Sequence, residues 1–273
     1  MTDKHNTSRP PGLRPAKHAL SFLKALKRPL RGRHKSIVVA SMPKSASTYL
    51  SKSLARLPGF RECWPGHKGG RIEQNLYPPA LIDLYGSRTV SQIHLRATEP
   101  NLALIRQFDI HPVVLVRDLF DTVISWHDHM HNESTVGCML YATDRFFELG
   151  PEEKYDMIID LAVPWYISFY VSWAEAEAGG QVKPLWLDYK EVTGDTRETI
   201  KRIVDFAGIR CSEADIDACI PEKKSNSADT VRLNKGVAGR GLETLSPAQV
   251  ERIRSFARYY PGLDFSRIGI GGQ

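Results

Sequence analysis

One stretch of this 273-residue chain limits its fold more than any other: Ser36 to Leu54, SIVVASMPKSASTYLSKSL. It opens with a continuous apolar run, Ile37-Val38-Val39-Ala40, the pattern of a strand buried on both faces. A polar turn follows, Pro43-Lys44-Ser45-Ala46-Ser47-Thr48. The period then changes, and Tyr49, Leu50, Ser53, Leu54 and Leu57 suit one face of a helix. Strand, small-residue loop and helix are how α/β proteins hold a phosphate group. Backbone N–H groups at the helix start point at the anion, and the helix dipole adds positive potential. Lys44 adds a mobile charge, and Ser45, Ser47 and Thr48 add hydroxyl donors. The stretch is not Gly-x-x-x-x-Gly-Lys-Ser/Thr, because it has no glycine and Lys44 stands at the start of the turn. The bland alternative is a serine-rich helix start beside a surface lysine.

Further along, the same alternation continues. The spacing predicts a short helix over 78–85, a strand over 89–95 and a helix over 99–109. Val113-Val114-Leu115-Val116 is a second fully apolar strand, ending at Arg117. Asp118 is placed to cap a helix from Leu119 to about Met130. A long helix over 154–178 ends at Gly179-Gly180, and a strand follows over 183–187. Another helix spans 196–207. Ser246-Pro247-Ala248-Gln249 combines a serine cap, proline at the first helical position and glutamine three residues on, and starts a helix to about Tyr260. Strands alternating with helices predict a single α/β domain with a central parallel sheet flanked by helices, from 36 to 265. Residues 1–35 form a basic leader and 266–273 a tail.

Composition matters for two exclusions. The net charge of +6 is uneven: residues 1–35 carry +9 and the remainder −3. The basicity therefore belongs to the leader and gives no reason to expect nucleic acid as a partner. Residues 1–16 have the composition of a disordered segment. Residues 17–35 offer either a basic amphipathic contact to an anionic membrane surface or polyanion, or a helix packed on the domain or a solvated leader. Lys24 and Lys27 interrupt its apolar run, against a cleaved secretory signal. Cys63, Cys138, Cys211 and Cys219 form no Cys-x-x-Cys pair, which fits a reducing compartment and a cytoplasmic location. No run approaches the ~18 apolar residues of a membrane span.

Three further residues carry chemistry. Arg117 stands where a buried strand ends, the place where open α/β sheets bind ligands. With Ser125, about two turns into the next helix, it makes a second anion site. The alternative is a salt bridge to Asp118 or Asp121. His94, near the end of a central strand, has the chemistry to take a proton from a hydroxyl; a structural histidine is its alternative. His127 and His131 share a helix face, but no carboxylate completes a metal site. Trp165, Tyr166, Phe169 and Trp173 line either an acceptor pocket or the core.

PKSASTYL, QIHLRAT, VVLVRDLFDTVISW, LWLDYKEV and LNKGVAG, in this order, resemble the sulfotransferases that use 3′-phosphoadenosine 5′-phosphosulfate (PAPS). The resemblance runs from Ile37 to Gly239. It implies the P-loop-like sulfotransferase fold. Lys44 and the backbone of Ser45, Ala46, Ser47 and Thr48 would hold the 5′-phosphosulfate, and Lys44 would neutralise charge on the bridging oxygen. Arg117 and Ser125 would bind the 3′-phosphate, and Tyr49 and Tyr189 would line the adenine site. Lys235 and Gly236 would close over the 3′-phosphate. His94 would be the general base for an acceptor hydroxyl, in an in-line transfer that releases PAP and needs no metal. The acceptor class and oligomeric state stay open.

The chain departs from that pattern in places. Gln92 stands where the family often has lysine, Asn234 where an arginine commonly precedes Lys-Gly, and Ala46 where glycine is usual. Arg96 is a candidate for the first missing charge, and Arg232 or Arg240 for the second. The family's dimer motif is not recognisable over 242–251. Two rival readings follow: an ATP-dependent small-molecule kinase of P-loop type, and a non-catalytic protein that binds PAP or another nucleotide.

Overall fold

A computed structural model of the chain describes residues 34–67, 74–134, 137, 139–220 and 239–271. Its centre is a sheet of five parallel strands: β1 (Lys35–Ser41), β2 (Phe60–Glu62), β3 (Arg88–Ile93), β4 (Ile110–Val116) and β5 (Leu185–Asp188), in the order β2-β3-β1-β4-β5. The apolar runs seen in the sequence are the two strands at the middle. Because side chains alternate along a strand, Ile37, Val39, Val113 and Leu115 enter one apolar layer. Val38, Ala40, Val114 and Val116 enter the other. Pro112 sits inside β4 without breaking it, since pairing with β5 begins only at Val113.

The first layer is closed by α1 (Ser47–Leu54) and α8 (Thr196–Phe206), through Leu50, Leu54, Ile200 and Ile203. The opposite layer is thicker. There α2 (Pro78–Leu84), α3 (Glu99–Gln107), α4 (Leu119–Asn132), α6 (Pro151–Ala178) and α11 (Pro247–Ser255) pack together. Short helices complete the chain: α5 (Arg145–Glu148), α7 (Tyr189–Gly194), α9 (Glu213–Ala218) and α10 (Arg240–Thr244). By length and composition α6 is apolar enough to cross a membrane, a property missed by counting unbroken apolar runs. Half of its apolar window is buried in the fold, where Ile158, Ile159, Phe169 and Trp173 sit in the core.

Most predicted caps form as read. Asp118 Oδ1 accepts the Asp121 N–H at 3.1 Å, and Ser246 and Gln249 exchange side-chain bonds at the start of α11. Three features differ from the sequence reading. β2 is an edge strand of three residues in which only Phe60 is buried, too short to show a period. Pro151 and Glu153, which reaches back to the Gly150 N–H at 2.8 Å, start α6 three residues early. Residues 266–271, read as a tail, pack onto the domain: Phe265 bridges Ile270, and Ile268 and Ile270 are buried. The basic leader lies outside the described residues, apart from His34 and Lys35.

The strand order places the ends of β3, β1 and β4 side by side. β3 and β4 flank β1 on opposite sides, so the chain reverses its direction of growth there. Such a switch point, at the carboxyl ends of the strands, is where open α/β sheets bind ligands.

Candidate active site

The loop between β1 and α1 is held by its carbonyls. Four in succession accept hydrogen bonds from side chains. Ser41 O takes one from His94 Nδ1 (2.8 Å), and Met42 O one from Ser45 Oγ (2.5 Å). Pro43 O takes one from the Tyr166 hydroxyl (3.1 Å), and Lys44 O one from an Arg117 terminal nitrogen (2.7 Å). A trans peptide is planar, with its C=O and N–H on opposite sides. Fixing the oxygens of residues 43 and 44 therefore turns the N–H groups of Lys44 and Ser45 the other way. Lys44 and Ala46 both adopt φ 68°, the left-handed region. For Ala46 this explains why glycine suits the position. Ala46 is also the N-cap of α1, and it makes no side-chain cap bond; the first turn holds no acidic residue. The N–H groups that open α1 are thus available to an anion.

His94 follows directly after β3, beside β1. The Ser41 carbonyl can only accept, so Nδ1 carries the proton and Nε2 keeps its lone pair. The Gln92 amide nitrogen stands 3.4 Å from Nε2, and Gln74 Oε1 accepts the His94 backbone N–H at 2.6 Å. Burial pushes the imidazole pKa down to about 4. The Ser41 bond opposes that shift and the Lys44 charge adds to it. At neutral pH the ring is an uncharged base with a defined tautomer.

Arg117, at the end of β4, is 8% exposed. Among the described residues it makes no ion pair with Asp118 or Asp121. Its guanidinium lies 4.1 Å over the Tyr189 ring and donates to Lys44 O, while its buried Nε has no partner. A buried donor without a partner costs about 1–3 kcal/mol, a cost a bound anion would remove. Beside it is a cavity of about 250 Å³ that Arg117 and Tyr189 help to line. Ser125 is buried on α4, one turn beyond Asp121, and does not line that cavity. Tyr49 does not reach it either: its hydroxyl meets Thr196 Oγ1 at 3.0 Å and its ring packs in the layer under α1. Ser45 and Ser47 are buried in the loop and Thr48 is exposed at the helix start.

Lys235, Gly236, Asn234 and Arg232 lie outside the described residues. The chain reappears at Gly239, whose N–H and that of Gly241 are both bound by the Asp121 carboxylate, at 2.8 and 2.9 Å. Asp121 is in the first turn of α4, so the residues just after the late loop are fixed close to Arg117. Gly241 allows this approach, since a Cβ there would lie 2.2 Å from the Phe120 carbonyl carbon. Arg240 is paired with Asp128 at 3.0 Å.

The profile of the family described as the sulfotransferase domain matches residues 34–258. This chain belongs to the sulfotransferase family. No curated protein sequence matches it significantly. Among solved structures it is similar to mouse sulfotransferase SULT7A1 complexed with PAP, at 19% identity and TM-score 0.59, over 86% of this chain and 88% of that one. It is also similar to a retinol dehydratase in complex with androsterone and inactive cofactor PAP, at 16% identity and TM-score 0.51, over 86% of each chain. These likenesses establish the fold, a single α/β sulfotransferase domain.

Within this sulfotransferase site, the aromatic residues of α6 turn out to be braces. The Tyr166 hydroxyl donates to Pro43 O and accepts from Trp126 Nε1 at 2.7 Å; Trp173 Nε1 donates to Leu95 O at 2.8 Å. One helix therefore grips both the loop between β1 and α1 and the segment carrying His94. The sequence contained a signal for this, polar-tipped aromatics in an apolar helix, which bury well only with a partner. Gln74 and Asp121 gave no such signal. His127 stacks tilted against His131 and Tyr155, with ring centroids at 4.3 and 4.7 Å. Among the described residues no group of side chains is arranged to hold a metal ion.

Proposed function

We propose that this sulfotransferase moves the sulfuryl group of PAPS to an acceptor hydroxyl. The observation that carries the reading is His94: an uncharged ring locked by Ser41 into the tautomer whose Nε2 can accept a proton, next to the phosphate loop. In the reaction the acceptor oxygen forms a bond to sulfur and the bond from sulfur to the bridging phosphate oxygen breaks. The hydroxyl proton passes to His94 Nε2, and PAP leaves. Lys44 and the N–H groups at the start of α1 hold the 5′-phosphosulfate and stabilise charge on the bridging oxygen. Arg117, whose Nε lacks a partner, takes the 3′-phosphate with Ser125 nearby, and Tyr189 lies by the adenosine. Lys235 and Gly236 belong to the same proposal through their place just before the Asp121 anchor. Tyr49 contributes to it from beneath the loop.

His94→Ala tests the assignment. Transfer from labelled PAPS to an acceptor panel should fall by the ~10²–10⁴-fold typical of a general base, while PAP affinity stays near wild type. Undiminished turnover would place the base elsewhere. PAP binding without Mg²⁺ is expected; binding only of ATP with Mg²⁺ would favour the kinase reading. PAP binding with no transfer to any acceptor would favour the non-catalytic one.

A further inference from the structure

The family match ends at residue 258, yet the cavity beside Arg117 has walls that come from beyond it. Ser266, Arg267 and Gly269 line the cavity together with Arg117, Tyr189, Lys190 and three aspartates. The segment that carries them is a tight hook. The Ile268 and Ile270 N–H groups bond back to Phe265 O at 3.0 and 3.2 Å, and the Gly269 N–H to Ser266 O at 3.1 Å. Asp264 accepts from both the Ser266 N–H and its hydroxyl, each at 2.8 Å, and the Tyr170 hydroxyl holds Asp264 O at 2.6 Å. Phe265, Ile268 and Ile270 anchor the hook in the core. At Gly269, φ is 87° and a Cβ would lie 2.2 Å from Asp118 Oδ2, so only glycine lets the hook come this close to the start of α4.

Arg267 is the hook's charged residue. Its guanidinium lies 5.4 Å over the Trp186 ring and, among the described residues, makes no hydrogen bond or ion pair. Arg117 lies on Tyr189 in the same manner, three residues along the same segment. Two guanidinium groups, each laid on an aromatic ring, thus flank one cavity. The carboxylates that share it are engaged with backbone. Asp121 holds Gly239 and Gly241, Asp118 caps α4, and Asp188 accepts the Glu191 N–H at 2.8 Å. Among the described residues none of the three pairs directly with Arg117 or Arg267, although the charges of Asp121 and Asp118 act on Arg117, and both guanidinium groups keep donors for an anionic guest.

We propose that Arg267 is a second ligand for the 3′-phosphate of the donor nucleotide, supplied by a C-terminal hook outside the family-matched region. It would stand in for the arginine that this chain replaces with Asn234. The inference rests on the donor reading above and names one of its specificity-determining residues.

Calorimetric titration of the full chain and of Arg267→Ala with PAP and with 5′-AMP, which lacks the 3′-phosphate, tests it. PAP should bind the variant about 10- to 100-fold more weakly, the loss expected for a charge-assisted hydrogen bond. AMP should bind both proteins alike, and Arg267→Lys should recover part of the loss. Arg267 is exposed, so the thermal midpoint should hold. Unchanged PAP affinity, or equal losses for PAP and AMP, would overturn the inference and leave the donor reading intact. A wild-type chain that binds PAP and AMP equally would sink the donor reading and this inference with it.

Discussion

The Nδ1 proton of His94 points at the Ser41 carbonyl 2.8 Å away, which leaves Nε2 to do chemistry. Its neighbour is the Gln92 amide, a neutral group, where the family often has lysine. A second cation there would add to the effect of Lys44, which already lowers the pKa alongside burial. With an imidazole pKa of about 4, His94 is deprotonated across the neutral range, as the proposed general base must be. Activity should be lost only as pH falls toward that value. The profile of kcat/KM against pH is therefore expected to stay flat from about pH 5 to 8, as far as this base is concerned. An acid limb centred near the ordinary histidine value of about 6.5, absent from a His94→Gln variant with residual turnover, would show that the ring is not desolvated in the working enzyme.

At the scale of elements, α6 couples the two halves of the site. Tyr166→Phe keeps the ring but leaves Pro43 O and Trp126 Nε1 without their bonds in a buried place. The expected cost is about 1–3 kcal/mol of stability, read from the midpoint of urea unfolding. A fall in kcat/KM should accompany it as Lys44 loses its fixed position. Wild-type stability with wild-type kinetics would show that the brace is not needed. Elements with a strong period were legible in the sequence: β1, β4, α4 and α11 with their caps, and the places of Lys44, His94 and Arg117 at strand ends. What could not be read depends on contacts between residues far apart in the chain. Tyr166 and Pro43 are 123 residues apart, and Gly239 and Asp121 are 118; no local period records such pairs. Tyr49 and Ser125 rest on motif alone, since neither lines the cavity beside Arg117, and their roles belong to the proposal. Arg267 sits in a hook of 3₁₀ geometry, without hydrophobic repetition, and so read as tail.

Over the whole molecule, several histidines are buried uncharged. His34 Nε2 faces Phe108 O at 2.8 Å and its Nδ1 accepts the Gly86 N–H at 3.1 Å, so a second proton would oppose a donor. Burial lowers the pKa of His34, His94 and His111 alike. The unfolded chain then binds protons at these sites more readily than the folded one, with an ordinary value of about 6.5. Stability is full above that value. It falls as pH drops below it, and levels off once pH has passed the folded values. Urea midpoints measured at about pH 7.5 and 5 should show the decline, and His34→Gln should reduce it; equal midpoints for the wild type would refute this. The fastened carbonyls of residues 41–44 have a consequence for catalysis as well. A loop whose peptide dipoles cannot turn has little reorganisation energy. Such a fixed field favours whichever state carries most negative charge where its N–H groups point. In the proposed transfer it would act on the charge growing at the bridging oxygen without first having to rearrange.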